Sequence, residues 1–363
     1  MLQRRRRNGL AARLHRIGSH GGAAFVVAVC LAAGGLLANS APGFADETAE
    51  DCGGGSPANV VAALGKLPGS SSPLTFQLGD FKLPRGGHLQ GVQMRFNVDR
   101  QRHLAFLSHD SETIGYLLVV EFPADLSRPG RAIHMLEFPS DRHQPPLRHA
   151  GGIQLCGDVL AVGLEDNQQK SRSEVQFWNL ADPTRPARLD NLTIRRSGDA
   201  KDQTAGAVAL AHRGHDYLTA VANWDSRAID FYTTNGKPLA DPQCFFIHRT
   251  RFRVDHADTG GWQPDKDVAA YQAVNLVVDQ AENVFLAGFA TAPNGNDLVD
   301  LFAVDFAHPP DKLLSKVARK AVRLAGGAHF QNGAGLWNDR GRLSLLATPR
   351  NLSAETRLRI VGE

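Results

Sequence analysis

From His149 to Asp166 the chain runs through an apolar strand opened by Gly151-Gly152, a Cys156-Gly157-Asp158 turn, and a second apolar strand that ends on two carboxylates, Glu165 and Asp166. Short apolar runs bounded by turn residues predict strands rather than helices. The pattern recurs. With Ile153 as anchor, the equivalent apolar position returns at Val92, Val208, Val274 and Ala334, at spacings of 61, 55, 66 and 60 residues. Periods of this size, each holding several short strands, predict radially repeated blades.

The first unit predicts strands over Gly91–Phe96, His103–Leu107, Tyr116–Phe122 and Ala132–Phe138. The second predicts Gly152–Cys156, Val159–Leu164, Glu174–Leu180 and Ala187–Ile194; the third, Ala207–Ala211, Tyr217–Ala222, Ala228–Tyr232 and Cys244–His248. The fourth offers Ala273–Val278, Val284–Phe289, Leu298–Phe306 and Lys320–Leu324. The last unit supplies only Gly333–Trp337, Leu343–Thr348 and Thr356–Val361, which leaves an edge to be covered. An isolated strand near Thr75–Leu83 has no partner close in sequence and fills that place. The expected fold is all-β: a five-bladed β-propeller over residues 75–363, closed by an N-terminal strand that completes the C-terminal blade. A pair of β-sandwiches is the main alternative, and the regular recurrence disfavours it.

Residues 1–45 read as a signal peptide: arginines at 4–7, 13 and 16, an uncharged run from Gly22 to Leu37, and small residues around Ala41–Ala45. Arg6-Arg7 loosely resembles a twin-arginine signal, though Gly9 stands where a hydrophobic residue is usual, so Sec export is equally open. An uncleaved anchor is the alternative reading of this run. Residues 46–74 predict a tail with one short helix, Ser56 as its N-cap and Pro57 at its first position.

Charge changes meaning once the signal is set aside. The chain has 40 Lys+Arg and 37 Asp+Glu; removing the six N-terminal arginines leaves 34 basic residues against 37 acidic ones. Without a basic run, no nucleic-acid partner is expected. Later apolar runs are too short for a membrane span. The expectation is a monomer in the periplasm or secreted, with a protein or glycan as possible ligand.

Val175-Gln-Phe-Trp-Asn-Leu-Ala-Asp-Pro-Thr-Arg-Pro-Ala-Arg-Leu189 resembles the strand-plus-turn run of bacterial secreted β-propeller proteins with LVIVD-type repeats, and Val120–Pro129 and Val304–Pro310 are weaker copies. The third and last units lack the paired prolines. The resemblance implies fold and export, and no particular activity.

Strand order assigns chemistry to faces. Loops leading into first strands and loops joining second to third strands share one polar rim, which collects His88, Asp110, His149, Glu165, Asp166, Trp224 and His329. Trp262 lies in its longest loop, Arg249 to Asp267. Trp224 and Trp262 are the candidates for stacking a sugar or planar group. The first-strand glycines and alanines are expected to leave room near the axis for backbone and ligand to approach. A polar residue at a glycine-rich strand start also has a plainer use, satisfying turn amides.

No acid stands at the first-strand positions Gly91, Gly152, Ala207, Ala273 and Gly333, where a propeller glycosidase needs its carboxylates. No nucleophile elbow, His-Glu-x-x-His or phosphate-binding loop is present. Two functions follow: a binding module using the polar rim, or a metal-assisted hydrolase or lactonase-like enzyme at the mouth of the axial channel, with a hard cation on Asp110, Glu165, Asp166 and Asp225. No cofactor is assigned. After signal removal the cysteines are Cys52, Cys156 and Cys244; the expected disulfide is Cys52–Cys156, with Cys244 free in an outer strand.

Overall fold

The computed structural model describes Cys52 and residues 55–97, 101–140, 146–198, 201–258 and 268–362. With 54% strand against 6% helix, it is an all-β protein. A short helix, α1 (Val60–Lys66), precedes strand β1 (Ser72–Gln77). Strands β2 (Leu89–Asn97), β3 (Arg102–His109), β4 (Tyr116–Pro123) and β5 (Gly130–Glu137) then form an antiparallel meander. The next sheet holds β6 (His149–Cys156), β7 (Val159–Glu165) and β8 (Arg172–Asn179), whose outer edge takes both β9 (Ala187–Arg188) and β10 (Ile194–Ser197). Two further meanders follow: β11 (Ala207–Arg213) to β12 (Asp216–Ala222), β13 (Ala228–Thr234) and β14 (Phe246–Arg253), then β15 (Ala273–Val278), β16 (Val284–Thr291), β17 (Asp297–Val304) and β18 (Leu314–Val322). The last sheet comprises β19 (Ala328–Asp339), β20 (Arg342–Pro349) and β21 (Glu355–Val361), with β1 antiparallel on β21 from Ser72↔Ile360 to Gln77↔Glu355.

Each sheet is apolar on both faces, so each must be covered twice, and the cover is the neighbouring sheet. Phe106, Leu117 and Phe138 meet Ile153, Val162 and Trp178 between the first two sheets. Phe177 and Val175 meet Val208 and Val221 across the next gap. Phe231 and Phe252 pack on Leu276, Leu286 and Phe302; Phe289 and Val299 pack on Phe330 and Leu345. The last core joins the chain's two ends, with Phe76, Leu346 and Leu358 against Val92, Leu107 and Leu118. Sheets set around an axis with a core in every gap form a β-propeller.

At the axis the first strands approach closely. Single parallel bridges link Gly91 to Ala334 and Gly152 to Ala207. A Cβ added to Gly152 would lie 2.9 Å from the Cα of Ala273, and one on Gly335 would overlap the carbonyl oxygen of Val92. The glycines therefore admit neighbouring backbone, as expected from sequence, but leave no room for the ligand also expected at these points.

Below them, buried amides stitch the strands together. Gln154 Nε2 donates to Leu276 O at 2.7 Å, while its Oε1 accepts from Leu276 N at 2.7 Å and Leu210 N at 3.1 Å. Asn275 Oδ1 accepts from Leu336 N at 2.6 Å and from Gln93 Nε2 at 3.2 Å. Innermost strands in a ring turn unpaired backbone groups toward the axis, and these amides satisfy them.

Several element boundaries differ from those expected. The first strand is Ser72–Gln77 instead of Thr75–Leu83, because Gly79 takes a left-handed φ of +67° and ends it. The expected strand Ala187–Ile194 is broken by a 3₁₀ turn at Asp190–Leu192, where Asn191 Nδ2 donates to Cys244 O at 2.8 Å and Asp241 O at 3.2 Å. The outer strands β14 and β18 begin at Phe246 and Leu314, not at Cys244 and Lys320. Asn59, rather than Ser56, caps α1, its Oδ1 accepting from Ala62 N at 2.8 Å. Val60, Leu64 and Leu67 wedge into the gap that also holds Val277, Phe285 and Leu343.

Cys52 and Cys156 form a disulfide, as expected. Cys244 is free and buried, in the loop before β14 instead of within a strand. Burial pushes its thiol up to about 11.

Candidate functional site

His149 begins β6 and Glu165 ends β7, and the two are register partners. Their side chains meet at 3.1 Å, His149 Nδ1 to Glu165 Oε1, with the carboxylate wholly buried. The other carboxylate oxygen accepts from Ala205 N at 2.7 Å, which ties the pair to the loop that enters β11 of the next sheet. Burial works against the imidazolium, but the hydrogen bond and charge of Glu165, with the charge of Asp110, hold His149 above the ordinary histidine pKa despite Lys170 nearby.

His88 is placed by Asp110, whose Oδ1 accepts from His88 N at 2.5 Å while its own N donates to His88 O at 3.2 Å. The ring donates from Nδ1 to Leu89 O at 2.7 Å, which leaves Nε2 to accept from Gln90 Nε2 at 3.2 Å. Both contacts belong to the neutral ring. Burial lowers the His88 pKa, and the opposing pull of the Leu89 carbonyl and Asp110 is not enough to restore it, with Arg350 and His149 lowering it further. Two neighbouring histidines are thus driven in opposite directions.

Trp224 lies beside them. Its backbone N donates to Thr204 Oγ1 at 2.7 Å, its ring centroid is 5.4 Å from that of His149, and 37% of the residue remains exposed. Lys170 Nζ sits 3.8 Å from the centre of the indole. The β7–β8 turn that delivers it is built on Asp166, whose Oδ1 accepts from Gln168 N at 3.0 Å and Gln169 N at 3.1 Å, and whose backbone O accepts from Lys170 N at 2.9 Å.

The structure therefore gathers His88, Asp110, His149, Glu165 and Trp224 on one rim, with Asp166 as the turn former beneath Lys170. His88 partly serves the plainer purpose, since its ring satisfies a neighbouring carbonyl; His149 does not. His329 stands apart, with Nδ1 3.1 Å from Asp297 Oδ2 at the start of β17. Trp262 lies outside the described residues. Among the described residues no three His, Cys, Asp or Glu side chains group to hold a metal. Of the acids expected to share a cation, Asp110 and Glu165 are committed to the local contacts above, Asp166 gives Oδ1 to the turn amides while its buried Oδ2 accepts no hydrogen bond among the described residues, and Asp225 accepts from Arg227 N at 3.4 Å.

Lys170, Gln90 and Gln272 were not singled out from the sequence; Gln272 Nε2 donates to Gln90 Oε1, extending the chain of contacts from His88. At the opposite mouth a polar pocket of about 60 Å³ lies among Cys52, Gln93, Gln154, His212 and Asn338. Among the described residues no helix is long and apolar enough to cross a membrane.

No protein-family model and no curated protein sequence matches the chain. Solved structures of similar form include an α-L-arabinofuranosidase from Podospora anserina in complex with cellotriose, 10% identical, covering 81% of this chain and 96% of that one at a TM-score of 0.48. The catalytic domain of a GH62 α-L-arabinofuranosidase from Coprinopsis cinerea is 11% identical over 82% and 96% of the two chains, TM-score 0.48. A GH43_1 enzyme from Xanthomonas citri is 9% identical over 83% and 93%, TM-score 0.45. Likenesses at this level say nothing about activity.

Proposed function

We propose that the chain is an exported, monomeric five-bladed β-propeller, related to LVIVD-type repeat proteins, that binds a glycan on its polar rim. Residues 1–45 act as the signal, residues 46–74 as a disulfide-anchored tail, and β1 closes the ring. The observation that carries the binding assignment is Trp224: a part-exposed indole beside a buried, charge-coupled His149–Glu165 pair. Exposed aromatic faces flanked by polar groups suit the apolar face of a sugar, and the buried pair fixes the platform.

A hydrolase at the axial mouth has less support. The axial side chains are the amides Gln93, Gln154 and Asn275, already engaged with backbone or with one another, so they supply neither the acid nor the base of glycoside cleavage. Screening the mature protein on a glycan array, then repeating positive hits with Trp224→Ala, tests the assignment. Binding should disappear in the variant while the melting curve stays near that of the parent; undiminished binding would locate the site elsewhere.

A further inference from the structure

We infer that the ligand of the Trp224 rim is anionic, a carboxylate-bearing glycan of the uronate class, and that Lys170 recognises its charge. The inference rests on the rim being the binding site. Lys170 has a φ of +57°, a left-handed conformation usually given to Gly or Asn, yet here a long cationic side chain occupies it. The turn that imposes this conformation is fixed at both ends of the residue: Lys170 N donates to Asp166 O at 2.9 Å, and Lys201 N donates to Lys170 O at 2.8 Å. The ammonium is thereby delivered to the face of Trp224.

The charges around it are unequal in availability. Glu165 is buried with one oxygen on Ala205 N and the other beside His149. Asp110 is held by His88 N, and Asp166 is buried, with one oxygen taken by turn amides. Asp225 is turned to the Arg227 amide. Among the described residues Lys170 has no carboxylate partner, only the indole. A part-exposed indole with an ammonium lying on its face, beside acids already hydrogen-bonded locally, fits a pyranose carrying a carboxylate: Lys170 swings off the ring to the charge while the sugar stacks on the face it vacates.

The test is calorimetric titration of the mature protein with a galacturonic acid tetramer, a neutral cello-oligosaccharide of equal length and a glucosamine tetramer. The parent should bind the uronate in preference to both others, more weakly as salt rises. Lys170→Asn, which suits the left-handed turn, should bind the uronate about tenfold more weakly, Lys170→Arg should keep most of the affinity, and Trp224→Ala should lose it. Equal binding of the neutral oligomer, indifference to Lys170→Asn, or preference for glucosamine overturns the charge inference but leaves the site if Trp224→Ala still abolishes binding. Uronate binding that survives Trp224→Ala, or no binding of any of the three, removes the inference and the site together.

Discussion

Gly152 of β6 lies against Ala273 of β15 so closely that a methyl group on the glycine would stand 2.9 Å from the Cα of Ala273. These strands belong to sheets that are not neighbours around the ring, so the contact crosses the axis. Gly152→Ala forces both backbones apart and should destabilise by about 1–3 kcal/mol, as overpacking does. Thermal unfolding monitored by circular dichroism checks it; an unchanged midpoint would mean the axis is looser than the structure shows.

The disulfide joins residues 104 apart in sequence. Closing so long a loop restricts the unfolded chain, and Cys52→Ser should cost about 2–5 kcal/mol. Non-reducing peptide mapping should recover Cys52 linked to Cys156, with Cys244 reacting with thiol reagents only after unfolding.

Asp230 is buried among Arg196 of β10, Arg251 of β14 and His248, and Arg196 belongs to the preceding sheet. Burial opposes its ionisation, but Arg251, Arg196 and His248 together hold its pKa below the ordinary aspartate value. Its contribution is therefore present above the unfolded-state pKa and lost as pH falls through the lower folded one. Asp230→Asn leaves the buried Arg196 guanidinium without its carboxylate and should cost about 3–5 kcal/mol at neutral pH. Denaturant titrations at neutral and acid pH should show the difference between parent and variant narrowing on acidification.

His149 has the opposite sign. A folded pKa raised above the unfolded value, about 6.5, adds stability that is complete below that value and disappears as pH rises through the folded pKa. The melting-temperature gap between parent and His149→Gln should therefore shrink as pH rises above about 6.5. A constant gap would show that the pair contributes packing and no titratable charge.

Phe76 of β1 is fully buried against Phe122, with ring centroids 6.4 Å apart, in the core that joins the first and last sheets. Phe76→Ala should lose about 3–5 kcal/mol, and a truncation through Gln77 should leave β21 with a free edge and drive aggregation. A truncated chain that remains monomeric and melts as the parent does would refute closure by this strand.

The all-β fold was legible because turn residues and apolar runs alternate locally, and local signals suffice to mark strands. What escaped depends on contacts distant in sequence. The break at Asp190–Leu192 comes from Asn191 reaching the loop before β14, and no local propensity encodes that. At the rim, His149 and Glu165 were visible as the ends of adjacent strands, whereas Lys170 was hidden in an ordinary polar turn whose left-handed residue only coordinates reveal. The axial amides had left a trace: the position after each anchor is Gln93, Gln154, Ala209, Asn275 and Gly335, polar or small on strands otherwise apolar. Those residues face the axis, and the glycine and alanine make room for the longer amides.

The hydrogen bonds of Gln154 reach β11 and β15 from β6, and those of Asn275 reach β19 from β15. An open array of repeats can fray from its ends, since each unit touches only its neighbours. Here Gln154 to Leu276 and Gln93 to Asn275 tie sheets that share no gap, the other amide bonds tie neighbouring sheets, and the chain's two ends share one core. The sheets of β2, β6 and β15 cannot melt without breaking bonds made across the axis, and those of β11 and β19 are bonded to them in turn, so the protein should unfold in one cooperative transition, with the amide protons of Leu210, Leu276 and Leu336 exchanging only when the whole ring opens.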